Sequence, residues 1–597
     1  MSILRSEVNA NDKWDLSSLF QSDAEWERAF LSVDAEIKKL AAFKGKLGAS
    51  KNDLLASLRA LEACDKKIET LYNYASLNVA SDETDATSQE RESRMQMKYT
   101  EYSAATSFFN PELQAISDEK ISEWMNDDAF TEYRIFLKKI LRLKAHILSE
   151  AEEKILSLQT MSAGTAHKAF AVLSDADLQF GEIEIDGEKK ELTQSTWSVF
   201  MHNENRAVRE KAYKQFYARF ASHENTLAAL YAGSVHQDIF ISRARNFSSS
   251  LSHALFYDNV SERVYRNLVD TINSNIKTLH KYYSLRKKIL GLQELRHYDV
   301  YVPLVKNVQK KTSYNEAVEL CRNALSPLGQ EYTEILCTGL VSGWVDRYEN
   351  KGKRSGAFSS GVYQGFPYIL LNYKDDSIRD VFTMAHEGGH SMHTFYSVKN
   401  NPYMNYNYTI FAAEVASTFN EDLLFHYLLK NATDENLKLF LLSMRADDIV
   451  ATLFRQTMFA EFELIVHETA EKGEALSPKI LRTIYRSLLE KYFGNEMIFE
   501  NESDLEGLRI PHFYNAFYVY KYATGISAAL ALSARVRNGG SEEKKLYMDF
   551  LKSGGSLFPI DALKNAGVDM SSAEPIQAAC DEFGKIVNEF ENSRLRK

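Results

Sequence analysis

The residues best suited to chemistry lie together in D-V-F-T-M-A-H-E-G-G-H-S-M-H, positions 380–393. His386, Glu387 and His390 form H-E-x-x-H, led in by the apolar Val381, Phe382, Met384 and Ala385. On a helix, residues four apart lie one turn on and about 40° round, so both imidazoles can reach a single metal ion. Glu387 sits about 100° round from His386, which lets it act on a water at the ion without being a ligand. Neutral imidazoles suit Zn²⁺, and a third protein ligand plus water would complete an open catalytic site. The third-ligand candidate is Glu414, in F-A-A-E-V-A-S-T-F-N-E at 411–421, which reads as a second helix. Glu421, two turns past it, is the other candidate. It could instead accept the free N–H of a ligating histidine, as could Asp380. His393 shares a face with the two histidines but lies roughly 10 Å along the axis from His386, too far for one ion, so packing or an outer role suits it better.

These residues resemble the thimet oligopeptidase family of zinc peptidases, specifically its oligoendopeptidase F branch. That family shows H-E-x-G-H-x-x-H followed by a helix with E-x-x-S-x-x-x-E; here they read H-E-G-G-H-S-M-H and E-V-A-S-T-F-N-E. N-D-K-W-D-L-S-S-L-F at 11–20, Y-D-V-Y-V-P-L at 298–304, G-V-Y-Q-G-F-P-Y-I-L-L-N-Y at 361–373 and P-H-F-Y-N-A-F-Y-V-Y-K-Y-A-T-G at 511–525 look like the same branch. The resemblance implies a mainly α, zincin-type metallopeptidase with a small β-sheet at the active site and a deep internal channel. It also implies one Zn²⁺ on His386, His390 and Glu414, Glu387 as general base, and short unstructured peptides as substrates. In the 509–525 stretch it implies a histidine and a tyrosine that stabilise the oxyanion; His512, Tyr514 and Tyr518 match best, with Tyr520 or Tyr522 as alternatives. One departure is Gly388, where the family more often has a larger apolar residue. Two glycines in mid-helix cost about 1 kcal/mol each against alanine, so this helix is expected to be locally looser than in relatives.

Two other readings compete with peptide hydrolysis. A helical peptide-binding scaffold with an accidental or inactive H-E-x-x-H would hold no stoichiometric zinc and cut nothing. A metalloenzyme could also act on a non-peptide amide or ester.

Composition narrows the field independently. The chain has 597 residues and only 9 prolines, against roughly 30 at ordinary usage, which favours long uninterrupted helices. A net charge of −11 with both signs interspersed argues against nucleic acid as a partner. No run of 18 apolar residues exists to cross a membrane, and M-S-I-L-R-S-E-V-N-A-N-D has no apolar signal core, so the cytoplasm is the default expectation. Cys64, Cys321, Cys337 and Cys580 show no paired spacing, which suits a reducing compartment.

The elements that must position the site read as follows. Trp14 to about Ala166 is helical, with Asp23 opening a helix, a leucine stripe at 54, 55, 58 and 61, and further helices over 72–97 and 151–161. Asn110-Pro111 reads as a break between helices. Tyr72, Tyr74, Phe108 and Phe109 suit packing better than a substrate box. A hairpin is expected at 178–192 around Asp186-Gly187, and a boundary near 190 divides an N-terminal helical lobe (1–190) from a catalytic domain (191–597). Arg206 and Arg209 could orient substrate carboxylates, though ion pairs are the plainer reading. Residues 350–361 read as a flexible basic loop, and F-P-Y-I-L-L-N-Y as a strand whose free edge could hydrogen-bond a substrate backbone.

Overall fold

The scarcity of proline leaves helices long. Lys51–Ser81 alone runs 31 residues, and helices dominate this computed structural model, which describes residues 3–185, 187–305 and 311–595. The chain is mainly α, as expected. Seven short strands occur among the described residues: β1 (Glu182–Ile185), β2 (Glu188–Glu191), β3 (Leu295–Arg296), β4 (Val345–Asp346), β5 (Phe358–Ser360), β6 (Tyr368–Leu370) and β7 (Met497–Ile498). β1 and β2 make the expected antiparallel hairpin with Ile185 opposite Glu188; Asp186 of its turn lies outside the described residues. β3 pairs in parallel with β7. β6 lies at the centre of a three-stranded sheet, parallel to β4 and antiparallel to β5. The F-P-Y-I-L-L-N-Y strand is therefore not an edge. The edges are β4 and β5; β5 is three residues inside the stretch read as a flexible loop, and it exists because Phe358 and Ser360 pair with Leu370 and Tyr368.

The chain folds into two compact units, each assembled from three separated segments. These units interleave along the chain, whereas the division expected near residue 190 is sequential; the two describe different things.

The first unit comprises residues 1–145, 309–430 and 529–568. It opens with α1 (Asp23–Ala41), α2 (Lys51–Ser81) and α3 (Ala86–Thr106), which bury Trp26, Phe30, Leu54, Leu58, Leu61 and Met95 in a common core. The leucine stripe faces inward as its 3.6-residue spacing requires. Residues 72–97 are not one helix: α2 ends at Ser81, and Asp85 caps α3 by accepting the Ser88 N–H. The expected break at Asn110-Pro111 falls earlier, at Ser107–Phe108. Pro111 sits in the first turn of the helix Phe109–Ala115, where its missing N–H costs nothing. Tyr74, Phe108 and Phe109 are buried in the core, whereas Tyr72 is exposed.

This helical layer is stitched to the small sheet. Trp14, Leu77 and Ala80 pack against Tyr368 and Leu370, and the fully buried Asp346 carboxylate takes both Arg5 and Lys353. α2 also holds the chain that leaves β5. Ser360 Oγ donates to Asn73 Oδ1 at 2.7 Å, the Tyr363 N–H to Glu69 at 3.2 Å, and Thr70 Oγ1 to Gln364 at 3.1 Å.

The second unit comprises residues 146–308, 431–528 and 569–597. The β1–β2 hairpin is anchored in it by Gln215, whose amide donates to the Phe180 carbonyl at 2.6 Å. Arg206 and Arg209 both bind the buried Asp299 carboxylate, at 2.8 Å each, so they form a structural clamp. Replacing Arg209 with Met leaves part of a buried charge uncompensated. This is expected to lower stability to denaturant by about 3 kcal/mol while leaving the activity per folded molecule unchanged; a selective rise in KM would mean that the arginine meets substrate after all.

Candidate metal centre

The H-E-x-x-H segment lies mid-way along α4 (Ile378–Asn400), and Glu414 and Glu421 lie on α5 (Ile410–Asn431). Both belong to the first unit. The two helices meet at Gly389. A β-carbon there would stand 2.5 Å from the Ala416 carbonyl oxygen and 2.6 Å from Ser417 Cα, so the close approach requires glycine. Gly388 differs. A β-carbon there meets only the ends of Leu336, at 3.1 and 3.4 Å, and α4 runs unbroken through both positions. Asn420, fully buried on α5, ties the pair further by donating to the Ala385 carbonyl at 3.2 Å.

This crossing brings three ligand atoms together. His386 Nε2 and His390 Nε2 are 3.2 Å apart, and Glu414 Oε2 lies 3.5 Å from the first and 3.8 Å from the second. Ligands at about 2.0–2.1 Å from a tetrahedral zinc stand about 3.3 Å from one another, so the triangle fits such an ion. Among the described residues this is the group whose metal-ligating atoms converge. The chemistry of the donors points the same way. His386 Nδ1 is hydrogen-bonded to Glu421, which leaves Nε2 as a lone pair facing that of His390 across a gap that a cation would fill. Ser417 Oγ donates to Glu414 Oε2 at 3.2 Å and steadies the carboxylate.

The surrounding charges fit the same account. Burial opposes a charged imidazole at His386, but Glu421, with Glu387 and Glu414 behind it, outweighs this and raises His386 to about 9. Burial and the neighbouring His386 charge push His390 down to about 3. Glu387 is 6% exposed; burial, partly opposed by His386, pushes its carboxyl up to about 7.

The other sequence candidates sort clearly. His393 is buried and stacked on Tyr408 at 3.6 Å, so it packs. The Asp380 carboxylate accepts the Lys374 N–H at 2.7 Å and caps the loop before α4. His512, Tyr514 and Tyr518 lie in the second unit. His512 is exposed, and Tyr518 is half-buried with its ring 5.4 Å from Tyr522. Tyr514 stacks on Phe170 at 4.4 Å with its hydroxyl buried and unpartnered, and Tyr520 is buried against Tyr265. Phe517, just before Tyr518, has φ +57°, and its N–H donates to the buried Glu463 at 2.9 Å. Sequence reasoning missed β5. Ser359 on it is hydrogen-bonded to Ser391 of α4 at 2.8 Å, and its backbone N–H meets the Glu387 carboxyl. A strand this short shows no alternation that could have announced it.

A mainly α fold with a His–His–Glu group between two helices is the arrangement of a helical metallopeptidase. Residues 199–582 match the model of peptidase family M3 and residues 112–180 that of oligopeptidase F, and the chain belongs to peptidase family M3. It is 44% identical over 582 residues to an oligoendopeptidase F homolog of Borreliella burgdorferi, covering 97% of this chain and 98% of that one. It is 42% identical to oligopeptidase PepF of Bacillus subtilis, covering 99% and 88%. Among solved structures, oligoendopeptidase-F from Enterococcus faecium superposes with a TM-score of 0.75 at 31% identity, covering 96% and 100%. The resemblance drawn from the motifs therefore holds, and the chain is a peptidase. No described helix is long and apolar enough to cross a membrane.

Two outcomes follow from the crossing and its hydrogen bonds. Gly388→Ala is expected to be tolerated and to add up to about 1 kcal/mol of stability, whereas Gly389→Ala should force the helices apart and abolish stoichiometric metal uptake; calorimetric metal titration of both variants checks this. Glu421→Ala should weaken metal binding by about 10–100-fold without unfolding the protein, as read by competition with a chromogenic chelator.

Proposed function

We propose that the chain is a zinc metalloendopeptidase that hydrolyses internal peptide bonds of short, unstructured oligopeptides. What supports this reading best is the convergence of His386, His390 and Glu414 beside the buried Glu387 carboxyl. Zn²⁺ held by those three residues would polarise the scissile carbonyl and acidify a water at the site.

The chain's own residues do the rest. Glu387 takes the proton of the attacking water as general base and returns it to the leaving amine as the C–N bond breaks. Its raised proton affinity suits a group that must both accept and release a proton near neutrality. Glu421 keeps His386 in the tautomer that offers Nε2. The edge of β5 gives an extended peptide backbone partners and aligns its scissile bond with little regard for side chains, which suits broad specificity. His512 and Tyr518, with Tyr514, are the proposed donors to the carbonyl oxygen as it becomes charged. Residues 1–190 are the proposed N-terminal lobe and 191–597 the catalytic part. The proposed compartment is the cytoplasm, since all four cysteines are buried unpaired thiols.

The test uses internally quenched oligopeptides of graded length, with chelator and then with zinc restored. Hydrolysis should stop with the chelator and return with the metal. Glu387→Gln should keep about one zinc per chain and lose at least about 100-fold in kcat. Wild-type turnover in that variant removes the proposed base; peptide binding without cleavage or metal favours a scaffold instead.

A further inference from the structure

We infer that Glu69 is a positioning residue for the peptide-binding edge, because its carboxylate ties the chain leaving β5 to the connection between the two ligand-bearing helices. The inference rests on the reading of β5 as the substrate's strand partner, and all the residues concerned belong to the first unit.

Glu69 lies on α2, and its two oxygens serve two different segments. Oε2 accepts the Tyr363 N–H at 3.2 Å, three residues past the end of β5. Oε1 accepts the hydroxyl of Tyr406, which lies between α4 and α5. Each partner is tied onward to α4. The Tyr363 hydroxyl donates to the carbonyl of Asn401, the residue just beyond the end of that helix, at 3.2 Å. Ser397 of α4 donates to the Tyr406 carbonyl. The two tyrosine rings meet at 5.2 Å.

The carboxyl is not a solvated helix charge. Burial pushes its proton affinity up, and the Tyr406 hydroxyl and Tyr363 N–H oppose that shift. A half-buried carboxyl with both oxygens taken by separate segments acts as a crosslink, and removing it leaves two donors without an acceptor. What the crosslink sets is the place of β5 relative to α4, and thus how an extended peptide lies against Glu387. A misplacement of about 1 Å in such a register can cost about 100-fold in rate.

The experiment compares a quenched oligopeptide with copies of it N-methylated at single backbone positions around the scissile bond. In the wild-type enzyme, N-methylation at alternate positions should raise KM, as strand pairing requires. In Glu69→Ala, kcat/KM for the parent peptide should fall at least about 10-fold, with zinc content unchanged, and the N-methylation penalty should shrink. Glu69→Gln should restore both, since its amide oxygen can accept the Tyr363 N–H and its amide nitrogen can donate to Tyr406. Tyr406→Phe, a milder change, should reproduce part of the loss and serves if Glu69→Ala does not fold. A wild-type penalty that persists undiminished in Glu69→Ala or Tyr406→Phe overturns the inference and leaves the strand reading standing, and so does a Glu69→Gln variant as impaired as Glu69→Ala. No penalty at any position in the wild type removes the strand reading, and the inference with it.

Discussion

At residue 389 the backbone of α5 leaves no room for a side chain, and the ligand triangle exists because of that contact. Two imidazoles one turn apart can face the same point on any helix. A carboxylate from another helix reaches that point only if the axes come close enough, and here the Ala416 carbonyl and Ser417 Cα lie where a β-carbon would be. The helical cost of glycine, about 1 kcal/mol, is thus tied to the geometry of the site at one position and not at its neighbour. Gly388 faces the flexible end of Leu336, and nothing in the structure demands a glycine there.

Around that crossing, three carboxyl groups of the same kind are set to different tasks by their surroundings. Glu414 is the most open and is steadied by Ser417. Glu421 is committed to His386 Nδ1. Glu387 is buried, with the β5 backbone at its carboxyl, and burial raises its proton affinity. Different surroundings are how one site gives like groups different tasks. The sheet contributes by bringing a strand edge to the same place, and α2 contributes by fixing that strand's exit.

What was legible in the sequence follows from range. The spacing of His386, Glu387 and His390 and the leucine stripe of α2 are short-range helical patterns, and both survive into the structure. The turn at 82–85 also had a local signal, the cap at Asp85, which the surrounding helical run concealed. Strand order has no local signal. That β6 is central and β5 an edge depends on β4, Val345–Asp346, more than ten residues upstream of either. Spacing could not separate the two possible tasks of Glu421, because ligand and hydrogen-bond acceptor occupy the same helix face; only the direction of the His386 ring decides. Glu69 looked like any acid on an amphipathic helix, since its partners lie some 300 residues away. The tyrosines at 514, 518 and 520 have equivalent chemistry in sequence and are told apart by burial alone.

The interleaved units constrain how the chain is made. The first unit takes its opening layer from residues 1–145, its ligand helices from 309–430, and its closing segment from 529–568. During synthesis the N-terminal helices must wait for the sheet that covers Trp14 and Leu77, with all of 146–308 emerging in between. The ligand helices must in turn wait for 529–568 while 431–528 is produced. Apolar faces left uncovered for that long are open to wrong association, and no single cut in the gene divides the chain into two pieces that each hold one whole unit and nothing of the other.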